Sequence, residues 1–221
     1  MASGKSSAKM APRRSVRFDD QYRVRWGDLL AGIDEAGRGP LAGPVVAACV
    51  ALRPGAKLPG VRDSKLMSPR EREEALERIR AQAVATGVGV ASVVEVDAFN
   101  IRVASLLAMR RAVEALGITP QGLLVDGKDA IVHQSPCEAV VDGDAKSLVV
   151  AAASVLAKVT RDAMMDAFAP RFPEYRFELN KGYGTPEHLE ALRRHGPCEI
   201  HRKTFRPVRE LLAVQEVFEG F

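Results

Sequence analysis

Four carboxylates stand where apolar runs stop. Asp34 and Glu35 follow Leu29-Leu30-Ala31-Gly32-Ile33, Asp126 follows Leu123-Leu124-Val125, and Asp144 follows a glycine turn after Ala139-Val140-Val141. Carboxylates at neighbouring strand ends can converge, as loops on a rigid scaffold do at active sites. Unpaired and close together they repel one another, so burial is tolerable only with cations between them. Hard divalent ions such as Mg²⁺ or Mn²⁺ take oxygen ligands and keep water in their shells. Two such ions roughly 3.5–4 Å apart can drive phosphodiester hydrolysis. Each acid also has a plainer reading: Asp34-Glu35 as turn residues, Asp126-Gly127 as a turn pair, Asp144 as a helix N-cap. Asp162, inside a helix, pairs by default with Arg161 or Lys158.

Basic and glycine-rich runs accompany the acids. In Gly37-Arg38-Gly39, flanking glycines let backbone N–H groups approach a phosphate or sugar while the arginine adds bidentate reach; a plain turn has the same composition. Lys65 in Asp63-Ser64-Lys65 is a candidate phosphate contact or a solvated lysine. Tyr183 lies between Gly182 and Gly184, where an exposed phenol suits stacking on a sugar or base and a buried one would anchor the loop. His188, His195 and His201 lack zincin spacing, so they receive no ligand role, and neither a Gly-x-Ser-x-Gly elbow nor a catalytic Cys–His pair is present.

The elements that must position these groups alternate. Leu29–Ile33 and Pro44–Leu52 read as strands joined by a glycine- and proline-punctuated, hairpin-like link. Ser68-Pro69-Arg70-Glu71 is a capping box with proline at the first helical position, opening a helix to about Val84. Gly87–Val94 alternates like a strand, and Asp97 caps a helix to about Leu116. Short strands at 123–125 and 139–141 precede a long helix from about Ala145 to Phe168, rich in small residues that permit close approach to a sheet. Thr185-Pro186-Glu187 opens another helix, and residues 207–218 suit a peripheral one. The pattern implies an α/β domain with helices on a mixed sheet, after a basic tail over residues 1–22. The folded domain is then expected over 23–206 and a C-terminal helical extension over 207–221.

Composition sets outer limits. The 221 residues are 47% hydrophobic but only 5% aromatic, so Val, Leu, Ile and Ala must build the core. A net charge of +4 mildly favours a polyanionic partner, with basic residues crowded at both ends, Arg202, Lys203 and Arg206 among them. Cys49, Cys137 and Cys198 form neither a CxxC pair nor a zinc spacing. No apolar run approaches the roughly 18 residues of a membrane span. A reducing, cytoplasmic setting without membrane attachment is the expectation, and nothing demands more than a monomer.

The run Gly32-Ile33-Asp34-Glu35-Ala36-Gly37-Arg38-Gly39-Pro40-Leu41-Ala42-Gly43-Pro44 resembles the signature of type 2 ribonucleases H. So do Asp63-Ser64-Lys65, Val125-Asp126-Gly127, Gly143-Asp144-Ala145-Lys146-Ser147, the helix from Ala151 to Asp162, Lys181-Gly182-Tyr183-Gly184-Thr185 and Ile200-His201-Arg202-Lys203-Thr204-Phe205. The resemblance spans about residues 29–209. It implies an RNase H-like fold with a small C-terminal helical extension, and Asp34, Glu35, Asp126 and Asp144 as catalytic ligands of Mg²⁺ or Mn²⁺. It further implies Gly37-Arg38-Gly39 as the element sensing the 2′-hydroxyl at an RNA–DNA junction, Tyr183 as the ring stacking on the next sugar, and Lys65 and Lys146 as substrate contacts. The implied activity is cleavage of RNA–DNA hybrids, and of DNA duplexes 5′ of a single ribonucleotide, in ribonucleotide removal from DNA. Two other classes compete: a DNA-directed nuclease of the same fold, and a silent hybrid-binding module, to which clustered negative charge would be of little use.

Overall fold

Residues 16–219 are described in the computed structural model, with side chains from 18 to 213. In chain order they form α1 (Val16–Trp26), β1 (Leu30–Ala36), β2 (Val45–Leu52), α2 (Pro69–Gln82), β3 (Ala83–Ala91), α3 (Val93–Glu114), β4 (Gly122–Asp126) and β5 (Cys137–Val140). Then follow α4 (Gly143–Lys146), α5 (Leu148–Phe168), α6 (Phe177–Asn180), α7 (Pro186–His195) and α8 (Arg206–Glu219). The sheet order is β3-β2-β1-β4-β5. β1, β2 and β3 run antiparallel as a meander, whereas β4 lies parallel to β1 and β5 parallel to β4. This is the mixed sheet with flanking helices of an RNase H-like α/β fold.

Strand alternation sorts the core into two layers. Leu30, Ala48, Val50, Leu52 and Leu124 pack against Val149, Val150, Ala152, Ala153 and Leu156 of α5. Ala31, Ile33, Ala47, Cys49, Leu123 and Val125 pack on the other side against Ala104, Ala108 and Ala112 of α3. With aromatics scarce, small residues allow backbone to approach backbone. Gly32 is the extreme case, since a Cβ there would lie 2.1 Å from the carbonyl carbon of Val149.

Several boundaries differ from the sequence expectation. Residues 16–22 belong to α1 and not to a tail; residues 1–15 lie outside the described residues. Asp19 is buried, and its carboxylate accepts from the N–H groups of Leu148 and Val149 at 3.0 and 3.2 Å, capping α5. Ser68 forms the expected capping box. The helix ends at Gln82, however, because residues 83–86 pair with β2. Ser92, not Asp97, caps α3 through a second capping box with Glu95, and Asp97 instead accepts from Lys203 N–H and from the N–H and hydroxyl of Thr204. The long helix is two: Ser147 is extended and caps α5, leaving α4 as a separate turn. Among the described residues no helix is long and apolar enough to cross a membrane.

Gly32→Ala should therefore lower the unfolding free energy by about 2–3 kcal/mol, the scale of overpacking a close backbone contact. Urea denaturation measures this, and an unchanged midpoint would refute the close docking of α5 on β1.

Candidate active site

The parallel register of β1 on β4, ending at Ile33↔Val125, brings Asp34 and Asp126 side by side one residue further on. Alternation turns Asp34 towards α5, like Gly32 before it. There the Asp34 carboxylate accepts from the Ser154 hydroxyl and, at 2.7 Å, from the Glu35 N–H. Ser154 is itself fixed by Ser64, hydroxyl to hydroxyl at 2.9 Å. Asp126 accepts from the Gly143 N–H at 2.7 Å, which ties the end of β4 to the start of α4. Asp144 sits buried in the first turn of α4. It is no N-cap: that position is Asp142, in a left-handed conformation without a side-chain cap bond.

Electrostatics record the convergence. Burial, then Glu35 and Asp126, push the Asp34 carboxyl well above its usual range. Glu35 is also raised, by burial and then Asp126, against relief from Arg38, which it meets at 3.1 Å. Burial depresses the Lys65 ammonium, yet Asp63, Asp34, Asp144 and Asp126 together hold it above its ordinary value. One lysine thus feels acids from β1, β4 and α4.

Among the described residues no three His, Cys, Asp or Glu side chains stand together closely enough to hold a metal ion as they are. The donors nevertheless suit a hard divalent cation: all are carboxylate oxygens, and Asp34 is disfavoured as an anion without added positive charge. Glu35 Oε2 is buried with no hydrogen-bond partner among the described residues, an atom that a cation would satisfy.

Beside the acids, the turn from Gly37 to Pro44 is pinned by two fully buried arginines. Arg161 donates to the carbonyls of Ala42, Pro44 and Lys181 at 3.0–3.1 Å. Arg202 donates to those of Gly37, Arg38, Pro40 and Gly43. Gly37 has φ +96°, and a Cβ there would fall 2.1 Å from Arg161 Nε, so no side chain fits. A Cβ on Gly39 would lie 3.7 Å from the Tyr183 ring, so the turn and the tyrosine are neighbours. Tyr183 is 45% exposed, with Lys158 Nζ 5.9 Å from its ring centre.

A groove of about 590 Å³ runs from Lys65 to Tyr183, lined also by Arg72, Lys158 and Lys181. Lys146 is not among its lining residues; its ammonium turns back to the Val141 carbonyl at 2.5 Å. Asp162 pairs with Lys158 at 2.7 Å and with Arg72 at 3.5 Å, not with Arg161. Sequence reasoning missed Ser154 and Arg72 at the site, and counted Arg202 in a basic cluster and a family motif without a structural role. A clue lay in the turn itself, whose prolines and glycines leave carbonyls in need of donors.

The family model for ribonuclease HII matches residues 31–208. The chain belongs to the ribonuclease HII family. It is 51% identical to ribonuclease HII 2 of Methylibium petroleiphilum over 214 residues, covering 96% of this chain and 98% of that one. Among solved structures, ribonuclease H2 of Pyrococcus horikoshii superposes with a TM-score of 0.72 at 26% identity, covering 85% of this chain and 98% of that one. The ribonuclease HII of Archaeoglobus fulgidus, solved in complex with PCNA, gives a TM-score of 0.69 at 29% identity, with 83% and 96% covered. Like its family, this protein is an endoribonuclease with RNase H activity.

Asp34 carries a stability cost with a definite sign. Its folded-state affinity for a proton exceeds the unfolded one, so chelator-treated protein loses stability as pH rises from about 4, where the unfolded carboxyl ionises. Asp34→Asn removes that loss and should raise the neutral-pH melting midpoint by roughly 3–6 °C, with the gain shrinking towards acid pH. A midpoint no higher than wild type at neutral pH would refute the strained-acid reading.

Proposed function

We propose that this protein cuts the RNA strand of RNA–DNA hybrids and incises duplex DNA on the 5′ side of a single embedded ribonucleotide, leaving 3′-hydroxyl and 5′-phosphate ends. The observation that carries the reading is the adjacency of Gly39 to the Tyr183 ring beside the clustered acids. A junction has a 2′-hydroxyl on one sugar and none on the next, so a reader needs a polar probe and an apolar platform one nucleotide apart. The Gly37-Arg38-Gly39 turn provides the first, with backbone free of side chains and Arg38 half exposed. Tyr183 provides the second.

Asp34, Glu35, Asp126 and Asp144 are the residues that would hold Mg²⁺ or Mn²⁺. Bound in pairs, such ions supply charge neutralisation at the attacking and leaving oxygens of an in-line displacement. The protein's own part is positional. Asp34 and Asp126 are fixed by the strand register and by their bonds to Glu35 N–H and Gly143 N–H. Lys65 sets positive charge at the mouth of the acid cluster, and Arg72, Lys158 and Lys181 line the groove along which a phosphate backbone would lie. Removing ribonucleotides left in DNA is the role that such specificity serves.

A DNA duplex with one internal ribonucleotide, incubated with and without Mg²⁺ or Mn²⁺, tests the reading: metal-dependent incision 5′ of the ribonucleotide is expected. Cleavage confined to long hybrids would discard junction sensing, cutting of plain duplex DNA would favour a DNA nuclease, and binding without products a silent module. Asp126→Asn keeps the acceptor for Gly143 N–H and should lose at least about 100-fold in rate, the scale for removing one electrostatic group from a reacting centre. It should also lose the Mg²⁺-induced rise in melting temperature that the wild type shows. Tyr183→Ala should slow junction incision about ten-fold, as loss of one stacking platform does; an unaltered rate would remove Tyr183 from recognition.

A further inference from the structure

Behind Tyr183 lies a buried chain of hydrogen bonds that the hydrolytic chemistry does not use. His188 and His201 are almost fully buried, and their Nε2 atoms meet at 3.0 Å. His188 Nδ1 lies 2.8 Å from the Tyr183 carbonyl, and the Cys198 N–H donates to His201 Nδ1 at 3.0 Å. The partners dictate the protons. The Tyr183 carbonyl can only accept, so His188 Nδ1 carries hydrogen and its Nε2 accepts. His201 Nε2 must then donate, which leaves its Nδ1 free to accept from Cys198. Every ring nitrogen is satisfied, His201 Nδ1 also meeting Cys198 Sγ at 3.1 Å, with both imidazoles neutral, in the direction that burial pushes both rings. Tyr175 and Phe177 enclose the pair edge-on or tilted.

The next residue reaches the other half of the junction reader. Arg202 donates to the Gly37 and Arg38 carbonyls at 2.6 and 3.1 Å, while the His201 backbone bridges Ala42. One short segment, Cys198–Arg202, therefore grips the Tyr183 loop on one side and the Gly37-Arg38-Gly39 turn on the other. We propose that His188 and Arg202 are positioning residues that set the spacing between the Tyr183 ring and this turn, with His201 acting only through His188 by fixing its tautomer, and so determine preference for a junction over a continuous hybrid. The proposal rests on the junction reading above.

Two substitutions at one site separate its two bonds. His188→Asn places an amide N–H where Nδ1 stood and keeps the bond to Tyr183. His188→Gln places its amide near Nε2, keeping His201 and releasing Tyr183. The readout is the ratio of kcat/KM on a single-ribonucleotide duplex to that on a long hybrid, assayed below each variant's melting midpoint. His188→Gln should lower this ratio about ten-fold, as losing the stacking platform would, whereas His188→Asn should hold it within about two- to three-fold and so act as the rescue. In a Tyr183→Ala background His188→Gln should cost nothing further, because both changes act through one ring. Arg202→Lys, which keeps charge but not the fork, should lower the ratio from the opposite side. Equal losses on both substrates, or Asn and Gln variants that behave alike, would overturn the proposal. If Tyr183→Ala itself leaves the ratio unchanged, the junction reading fails first.

Discussion

The structure depends on how the turn between β1 and β2 satisfies its own backbone. That turn runs through Gly37, Gly39, Pro40, Gly43 and Pro44, a composition that cannot continue a ladder and that lacks N–H donors at two positions. Its carbonyls are nevertheless buried, and a buried carbonyl without a donor costs about 1–3 kcal/mol. Arg161 and Arg202 supply the donors from opposite sides, one from α5 and one from the segment after α7. A guanidinium offers five N–H groups in a fixed plane, so each arginine holds several carbonyls in one geometry. Among the described residues neither forms a close ion pair; Asp162 and Asp97 act on them only at longer range, and the carbonyls are their hydrogen-bond partners. The left-handed Gly37 follows from this, because Arg161 occupies the space where a side chain would be.

The acids are placed by a different constraint. Parallel pairing of β1 and β4 aligns their C-terminal ends, and α4 delivers Asp144 through the bond from Gly143 N–H to Asp126. The result is a concentration of negative charge that a protein selected for stability alone would avoid. Helix α5 makes it tolerable, lending Ser154 to Asp34 and docking so tightly on Gly32 that the strand end cannot swing away. Rigid support at a strained cluster is how function and stability are commonly reconciled.

Much of this was legible in the sequence. Apolar runs ending in acids located β1 and β4, and Ser68-Pro69-x-Glu71 marked the start of α2. The motif resemblance picked out four carboxylates; the register of β1 on β4 makes neighbours of Asp34, Glu35 and Asp126, and α4 carries Asp144 next to the Gly143 that bonds Asp126. What escaped were features whose local signal points elsewhere. Asp97 looks like a cap but serves Thr204, because Ser92 and Glu95 already close α3 one turn earlier. Ser147 breaks an apolar helical pattern that shows no discontinuity in composition. Asp19 sits among basic, serine-rich residues, and its partner is the amide end of a helix far along the chain. Arg161 read as a partner of Asp162 and Arg202 as one of a basic cluster, because burial of arginine is rare unless partners wait for it, and here those partners are backbone atoms without side-chain identity.

The distances along the chain between these partners bear on the order in which the enzyme becomes complete. Asp19 reaches Val149 across 130 positions, and Arg202 reaches Gly37 across 165. A nascent chain emerges N-terminus first, so α1 and the glycine-rich turn leave the ribosome long before the groups that hold them. Contacts this remote also slow the final search, because the closing loop must be paid for before its bonds form. The edge proposed to read nucleic acid is therefore completed only after Arg202 has been synthesised, and a product truncated before it would carry the acids without the contacts that shape that turn.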